Sequence, residues 1–146
     1  MDPEFILPIG KAKIERQGTD CTITAHAKMV GFSLEAAEIL KKEHDIDVEV
    51  VNLRCIRPLD RETIINSVKK TNRIVNAEEG WPQHGVGAEI AALLMETDAF
   101  DYLDAPMERV AGVDVPMPYS QAIESMAVPQ VGDIVQAVLN ACYRNK

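Results

Sequence analysis

Apolar and polar positions follow one another along the chain in two rhythms, one suited to strands and one to helices. Lys11 to Arg16 (K-A-K-I-E-R) alternates and reads as an edge strand, Gln17-Gly18-Thr19-Asp20 as a turn, and Cys21 to Ala25 (C-T-I-T-A) as a β-rich run, so the pair predicts a hairpin. From Met29 to Lys42 the spacing widens to that of a helix, with Val30, Leu34, Ala37, Ile39 and Leu40 on its apolar stripe. Lys41, Lys42 and His44 close it, since cations suit the negative end of a helix dipole. Val48 to Leu53 (V-E-V-V-N-L) is a buried strand. Pro58 and Asp60 open a second helix running to about Thr71, with Asp60 as N-cap and Ile64, Ile65 and Val68 inward. Arg73 to Ala77 (R-I-V-N-A) is a further strand. The segment E-E-G-W-P-Q-H-G-V-G-A-E-I, Glu78 to Ile90, then turns into a helix from about Gly85 to Thr97. Arg109-Val110-Ala111 is a short last strand, V-P-M-P-Y-S is a surface loop, and Pro129 starts a final helix with Val131, Ile134, Val135, Val138 and Leu139 on its apolar side.

Strands alternating with helices predict a three-layer α/β/α sandwich around a mostly parallel five-stranded sheet, with one antiparallel edge strand. The length of 146 residues and the 47% apolar content suit one compact domain. No apolar run is long enough to span a membrane, and no basic-then-apolar leader or internal repeat is present. Met1 to Glu4 reads as a cloning scar, so the domain is expected over residues 5–146, as a piece of a longer protein.

Charge changes the picture. Residues 1–73 hold 12 basic and 12 acidic side chains, and residues 109–146 hold three of each. Residues 74–108 hold no Lys or Arg but eight acids: Glu78, Glu79, Glu89, Glu96, Asp98, Asp101, Asp104 and Glu108. The whole net charge of −8 therefore sits in one quarter of the chain. That opposes nucleic-acid binding, which needs a basic footprint. It leaves two readings, a docking surface for a basic protein partner or a solvated face kept for solubility.

Candidate chemistry is sparse. Ligands in open α/β sheets sit beyond the carboxyl ends of strands. Three segments end there: His26-Ala27-Lys28, Arg54-Cys55-Ile56-Arg57 and Glu78-Glu79-Gly80-Trp81. Gly85 and Gly87 lack the third glycine of a dinucleotide fingerprint and follow two acids, so they read as small residues allowing close helix–sheet packing. Glu78 and Glu79 are neighbours on a strand end and point to opposite faces, which makes a poor acid–base pair. His84 is either a general base or an ordinary loop histidine, and no nucleophile with a relay stands beside it. His26 and Ser33 lack the elbow motif of a serine hydrolase. Arg54 and Arg57 either clamp a small anion or brace the strand–helix corner. Cys21, Cys55 and Cys142 are odd in number, with no zinc spacing, and read as reduced thiols. No complete catalytic set and no metal site emerge.

N-L-R-C-I-R-P-L-D resembles the strand–helix corner of transketolase-type C-terminal domains. L-P-I-G-K-A-K-I-E-R-Q-G, S-L-E-A-A, T-N-R-I-V, E-E-G-W-P-Q-H-G-V-G-A-E-I and L-D-A-P-M-E-R-V-A-G-V-D-V-P-M-P-Y are similar to the pyruvate dehydrogenase beta-subunit family, from about Phe5 to Ala141. His84 departs from the aromatic residue of that family, and the terminal Cys-Tyr-Arg-Asn-Lys lies outside its pattern. The resemblance implies a thiamine-diphosphate- and magnesium-dependent enzyme that converts pyruvate to acetyl groups on lipoamide with release of CO2, working in the mitochondrial matrix, or in the cytoplasm of a bacterium. The cofactor-facing residues belong to an N-terminal domain expected to be absent here, so this piece is expected to be inactive and to bind neither cofactor. Its implied partners are the alpha subunit, a second beta subunit and the subunit-binding domain of dihydrolipoyl acetyltransferase, with no nucleic acid and no membrane. The docking aspartate of the Leu-Asp-Ala-Pro motif falls on Asp104, with Asp101 and Glu108 beside it in the acidic quarter. Trp81 is expected to pack or to meet another subunit.

Overall fold

The computed structural model describes Glu4 and residues 6–143; Met1 to Pro3 of the expected scar, Phe5, and Arg144 to Lys146 lie outside the described residues. The chain runs β1 (Lys13–Arg16), β2 (Cys21–Ala25), α1 (Lys28–His44), β3 (Val48–Asn52), α2 (Arg61–Thr71), β4 (Ile74–Ala77), α3 (Val86–Met95), a 3-10 turn (Asp98–Tyr102), β5 (Glu108–Val110), α4 (Gln121–Ala127) and α5 (Val131–Ala141). The sheet order is β1-β3-β2-β4-β5. β3, β2, β4 and β5 are mutually parallel, and β1 pairs antiparallel with the free edge of β3, with a register shift between Ile14 and Arg16.

The five-stranded sheet with its antiparallel edge is as expected, but the hairpin is not. β2 is wholly buried and already has parallel neighbours on both sides, so no hydrogen-bonding edge remains for β1. The intervening turn instead crosses the start of β3. Thr19 and Asp20 N–H donate to the Asp47 carbonyl at 2.9 Å, and a Cβ on Gly18 would lie 2.2 Å from the Val48 carbonyl carbon. The elements 98–102 and 121–127 were also missed. The first is a 3-10 turn, and the second is almost entirely exposed, so neither carries an amphipathic stripe.

Alternation along the central strands sorts the layers. Cys21, Ile23, Ala25, Val48, Val50, Val75 and Ala77 face α1 and α5, where they meet Met29, Ala36, Leu40, Ile134 and Val138. Ile74 and Leu53 meet Ile64, Val68, Ile90, Leu93 and Leu94 of α2 and α3 on the other face. The second face is not purely apolar: Thr22, Thr24, Glu49, Ser67, Thr71, Asn76 and Glu78 are buried there. Glu49 is wholly buried; its carboxylate accepts from Ser67 Oγ at 2.6 Å and from Lys70, and Thr22 links Ser67 to Thr71 at 2.7 Å each. Asp60 caps α2, accepting from Thr63 N at 3.3 Å and Thr63 Oγ1 at 2.8 Å, and ties in the chain before β1 through Ala12 N at 3.0 Å.

Candidate functional site

At the carboxyl end of β4 the chain Glu78 to Ile90 forms a strand–turn–helix corner built round one carboxylate. Glu78 is 2% exposed. Its Oε2 accepts from Val86 N at 2.8 Å, and its Oε1 from Gly87 N at 2.9 Å and Asn76 Nδ2 at 3.2 Å. The first amides of a helix have no intrahelical acceptors, and a negative charge suits that end of the dipole. Arg109 NH2 stands 3.9 Å away, on the neighbouring β5. The two glycines make the approach feasible. A Cβ on Gly87 would lie 2.6 Å from Asn76 Nδ2 and 2.8 Å from Glu78 Oε1; one on Gly85 would lie 2.7 Å from Glu78 Oε2. Gly-x-Gly thus admits a side-chain carboxylate, not a phosphate. Sequence reasoning missed this role; the signal was an acid seven and nine residues before two glycines at a helix start.

The other carboxyl-end candidates do not converge on a reaction. His84 is exposed, with a left-handed φ of 58° and Gln83 Nε2 at 3.5 Å. Ser33 is buried within α1, where its Oγ donates to Met29 O at 2.7 Å. His26 Nδ1 is buried without a hydrogen-bond partner among the described residues. Arg54 and Arg57 are exposed and enter no ion pair among the described residues. Trp81 is 54% exposed, and its Nε1 donates to Val115 O at 3.2 Å, pinning the Val-Pro-Met-Pro-Tyr arm. No group of three or more His, Cys, Asp or Glu among the described residues is placed to hold a metal, and both oxygens of Glu78 are taken by protein donors. These residues do not fit a magnesium–diphosphate site.

The opposite, amino end of the sheet carries a different feature. Between α3, the 3-10 turn and the approach to β5 lies an open cavity of about 680 Å3. Its walls are Ala91, Leu94, Met95, Phe100, Leu103, Ala105, Pro106 and Met107, and its polar members are Asp101 and Asp104. Met95 and Phe100 are half exposed or more. Asp104 is anchored by its own backbone, its N–H donating to Asn72 O at 2.9 Å and its carbonyl accepting from Tyr143 Oη at 3.1 Å. Its carboxylate is 57% exposed and pairs with Arg73 at 3.4 Å. Glu108, the first residue of β5, does not line the cavity. The acidic quarter is also less bare than its sequence. Lys69 meets Asp98 at 2.6 Å, Arg61 meets Glu96 at 3.6 Å, and Glu78 is internal, so Asp101 and the half-exposed Asp104 carry the charge at the groove.

Residues 10–134 match the model of "Transketolase, C-terminal domain". The chain belongs to that family. A solved transketolase relative, described as a split gene transketolase in an inactive beta4 tetramer, superposes with a TM-score of 0.82 at 29% identity, over 100% of this chain and 46% of that one. Among curated proteins, this transketolase C-terminal domain is 66% identical over 144 residues to pyruvate dehydrogenase E1 component subunit beta-1, mitochondrial, of Oryza sativa subsp. japonica, covering 99% of the chain and 38% of the relative. It is 61% identical over 146 residues to the subunit beta-1 of Arabidopsis thaliana, covering 100% and 40%. It is 61% identical over 135 residues to the subunit beta of Bos taurus, covering 92% and 37%. The chain therefore spans about two fifths of the curated relatives' length.

Proposed function

We propose that this chain is the C-terminal domain of a mitochondrial pyruvate dehydrogenase beta subunit, and that within that enzyme it serves assembly and docking, not chemistry. The identity of 66% to a named mitochondrial beta subunit supports the assignment. The whole subunit would act with an alpha subunit and a second beta subunit, and would depend on thiamine diphosphate and magnesium held elsewhere. The observation that carries the docking role is the apolar groove rimmed by Asp101 and Asp104. An apolar floor with a charged rim is the anatomy of a specific interface. A basic module, the subunit-binding domain of dihydrolipoyl acetyltransferase, complements the rim in charge.

Because Asp104 already holds Arg73, an incoming cation must share or replace that partner. Calorimetric titration with the subunit-binding domain, at low and at high salt, tests the reading. Saturable binding that weakens with salt is expected, and Asp104→Ala should cost about 2–5 kcal/mol if the contact becomes buried in the complex. An Asp104→Ala chain that binds within a few tenths of a kcal/mol of the parent removes Asp104 from the site; no binding at low salt removes the docking role from the isolated domain.

A second reading, a small-anion site at Arg54 and Arg57, draws on the exposure of both guanidinium groups and on their making no direct ion pair among the described residues, although Arg54 lies near enough to Glu15 to help lower its carboxyl. Thermal shift by phosphate or carboxylate anions that disappears in Arg54→Ala would support it.

A further inference from the structure

Two of the three cysteines meet where the first central strand starts and the last helix ends. Cys21, the first residue of β2, is wholly buried, and Cys142, the C-cap of α5, packs against the same core cluster. The Cys21 thiol donates to Thr22 O at 3.7 Å, and the neighbouring Cys142 sulfur, aided by burial, holds Cys21 protonated well above the ordinary thiol range. Unlike Cys21, Cys142 is only half-buried. It lines an open polar cavity of about 320 Å3 with Asp20, Asp45, Ile46 and Arg73. Arg73 Nε is a buried donor with no acceptor among the described residues, in the wall of that cavity.

We infer that Cys21 and Cys142 form a peroxide-sensitive thiol pair, with Cys142 as the reacting sulfur and Cys21 as the resolving one. The Cys142 sulfur, as thiolate, attacks the O–O bond of hydrogen peroxide. One oxygen stays on sulfur as sulfenic acid, and the other leaves as hydroxide and takes a proton from solvent. Cys21 sulfur then attacks the sulfenic sulfur: an S–S bond forms, the S–O bond breaks, and the Cys21 proton departs with the hydroxyl as water. Both sulfurs are oxidised, and the peroxide is reduced to water. Reactivity needs access and a neighbouring cation; Arg73 stands near both sulfurs, and the cavity gives access to Cys142 while Cys21 is wholly buried. Cys55 stands apart, its sulfur accepting from Gly10 N at 3.3 Å. The inference holds whether or not a partner docks at Asp104.

The test is graded hydrogen peroxide on this chain, quenched by alkylation after denaturation, with peptide mass spectrometry under non-reducing conditions. A cross-linked peptide joining Cys21 to Cys142 should rise with dose and vanish with a dithiol, while Cys55 stays alkylated. The cross-linked chain should melt at a higher temperature than the reduced one, and the dithiol should reverse the shift. In Cys21→Ala or Cys21→Ser, Cys142 should stop at the sulfenic acid and be trapped by a 1,3-dione; in Cys142→Ser, Cys21 should stay reduced. Full alkylation of both cysteines after peroxide overturns the inference, and so does a Cys142 disulfide formed only between chains.

Discussion

Replacing Glu78 by Gln keeps the size of the side chain at the β4–α3 corner and removes its charge. The carboxylate accepts three hydrogen bonds, two of them from the first amides of α3. Bonds to a charged acceptor contribute about 1.5–3 kcal/mol each, and the charge–dipole term at a partly buried helix start adds up to ~2 kcal/mol. Against these stands the cost of keeping a carboxylate out of water, several kcal/mol. In the amide, one oxygen still accepts, but an NH2 group faces either Val86 N–H or Gly87 N–H, donor against donor. The loss of one charged bond and the orphaned backbone donor together give about 2–4 kcal/mol of destabilisation. Urea unfolding should show this as a lower midpoint at an unchanged slope. Arg109→Met is the comparison; its guanidinium is 3.9 Å from the carboxylate, which keeps its three other donors, and it also donates to Pro82 O, so its loss should cost about 1–2 kcal/mol. A Glu78→Gln chain within ~0.5 kcal/mol of the parent would refute the claim that the carboxylate organises the corner.

Gly87→Ala should destabilise by about 1–3 kcal/mol in the same assay, because its Cβ would lie 2.6 Å from Asn76 Nδ2. Lys70→Met should cost about 3–5 kcal/mol by stranding the buried Glu49 carboxylate, while Glu49→Leu combined with Lys70→Met should recover most of it; additive losses in the cycle would reject the coupling. Burial acts to raise the Asp60 carboxyl, but the Ala12 N–H, the Thr63 hydroxyl and N–H, and Lys11 outweigh it and hold the group below its ordinary value of 3.8. Its stabilisation is thus complete above pH 3.8 and is lost as pH falls through the lower folded value. Asp60→Asn should therefore flatten the pH dependence of stability below that point, as read by acid titration of the urea midpoint, and Asp60→Ala should cost about 1–2 kcal/mol at neutral pH as a lost cap.

What the sequence disclosed depended on the range of the interactions. Asp60 as the cap of α2 and the cationic end of α1 are local, fixed within a few residues, and the structure places both where spacing puts them. The alternation of β2 and β3 is likewise self-contained. The partner of β1 is not, for Lys13 meets Asn52 across 39 positions, and nothing in K-A-K-I-E-R distinguishes one edge from another. The buried polar members Glu49 and Glu78 look in sequence like surface acids, because their partners Ser67, Lys70, Val86 and Gly87 come from elements not yet placed. The acidic quarter was visible as a count. Which of its members reach a groove was not, since Asp98, Glu96 and Asp104 are each met by cations from α2 or the turn after it.

The two margins of the sheet bear on how such a chain behaves alone in a crowded solution. An unpaired strand flank is a template on which other polypeptides add, ending in fibres or amorphous aggregate. Here one margin is β1, only four residues long, kinked by its register shift and studded with Lys13, Glu15 and Arg16; the other is β5, three residues long with a central arginine. Neither offers a flat run on which a foreign strand could zip. The domain is thereby guarded against self-polymerisation at its flanks, and its traffic with other proteins is left to the helical and loop surfaces.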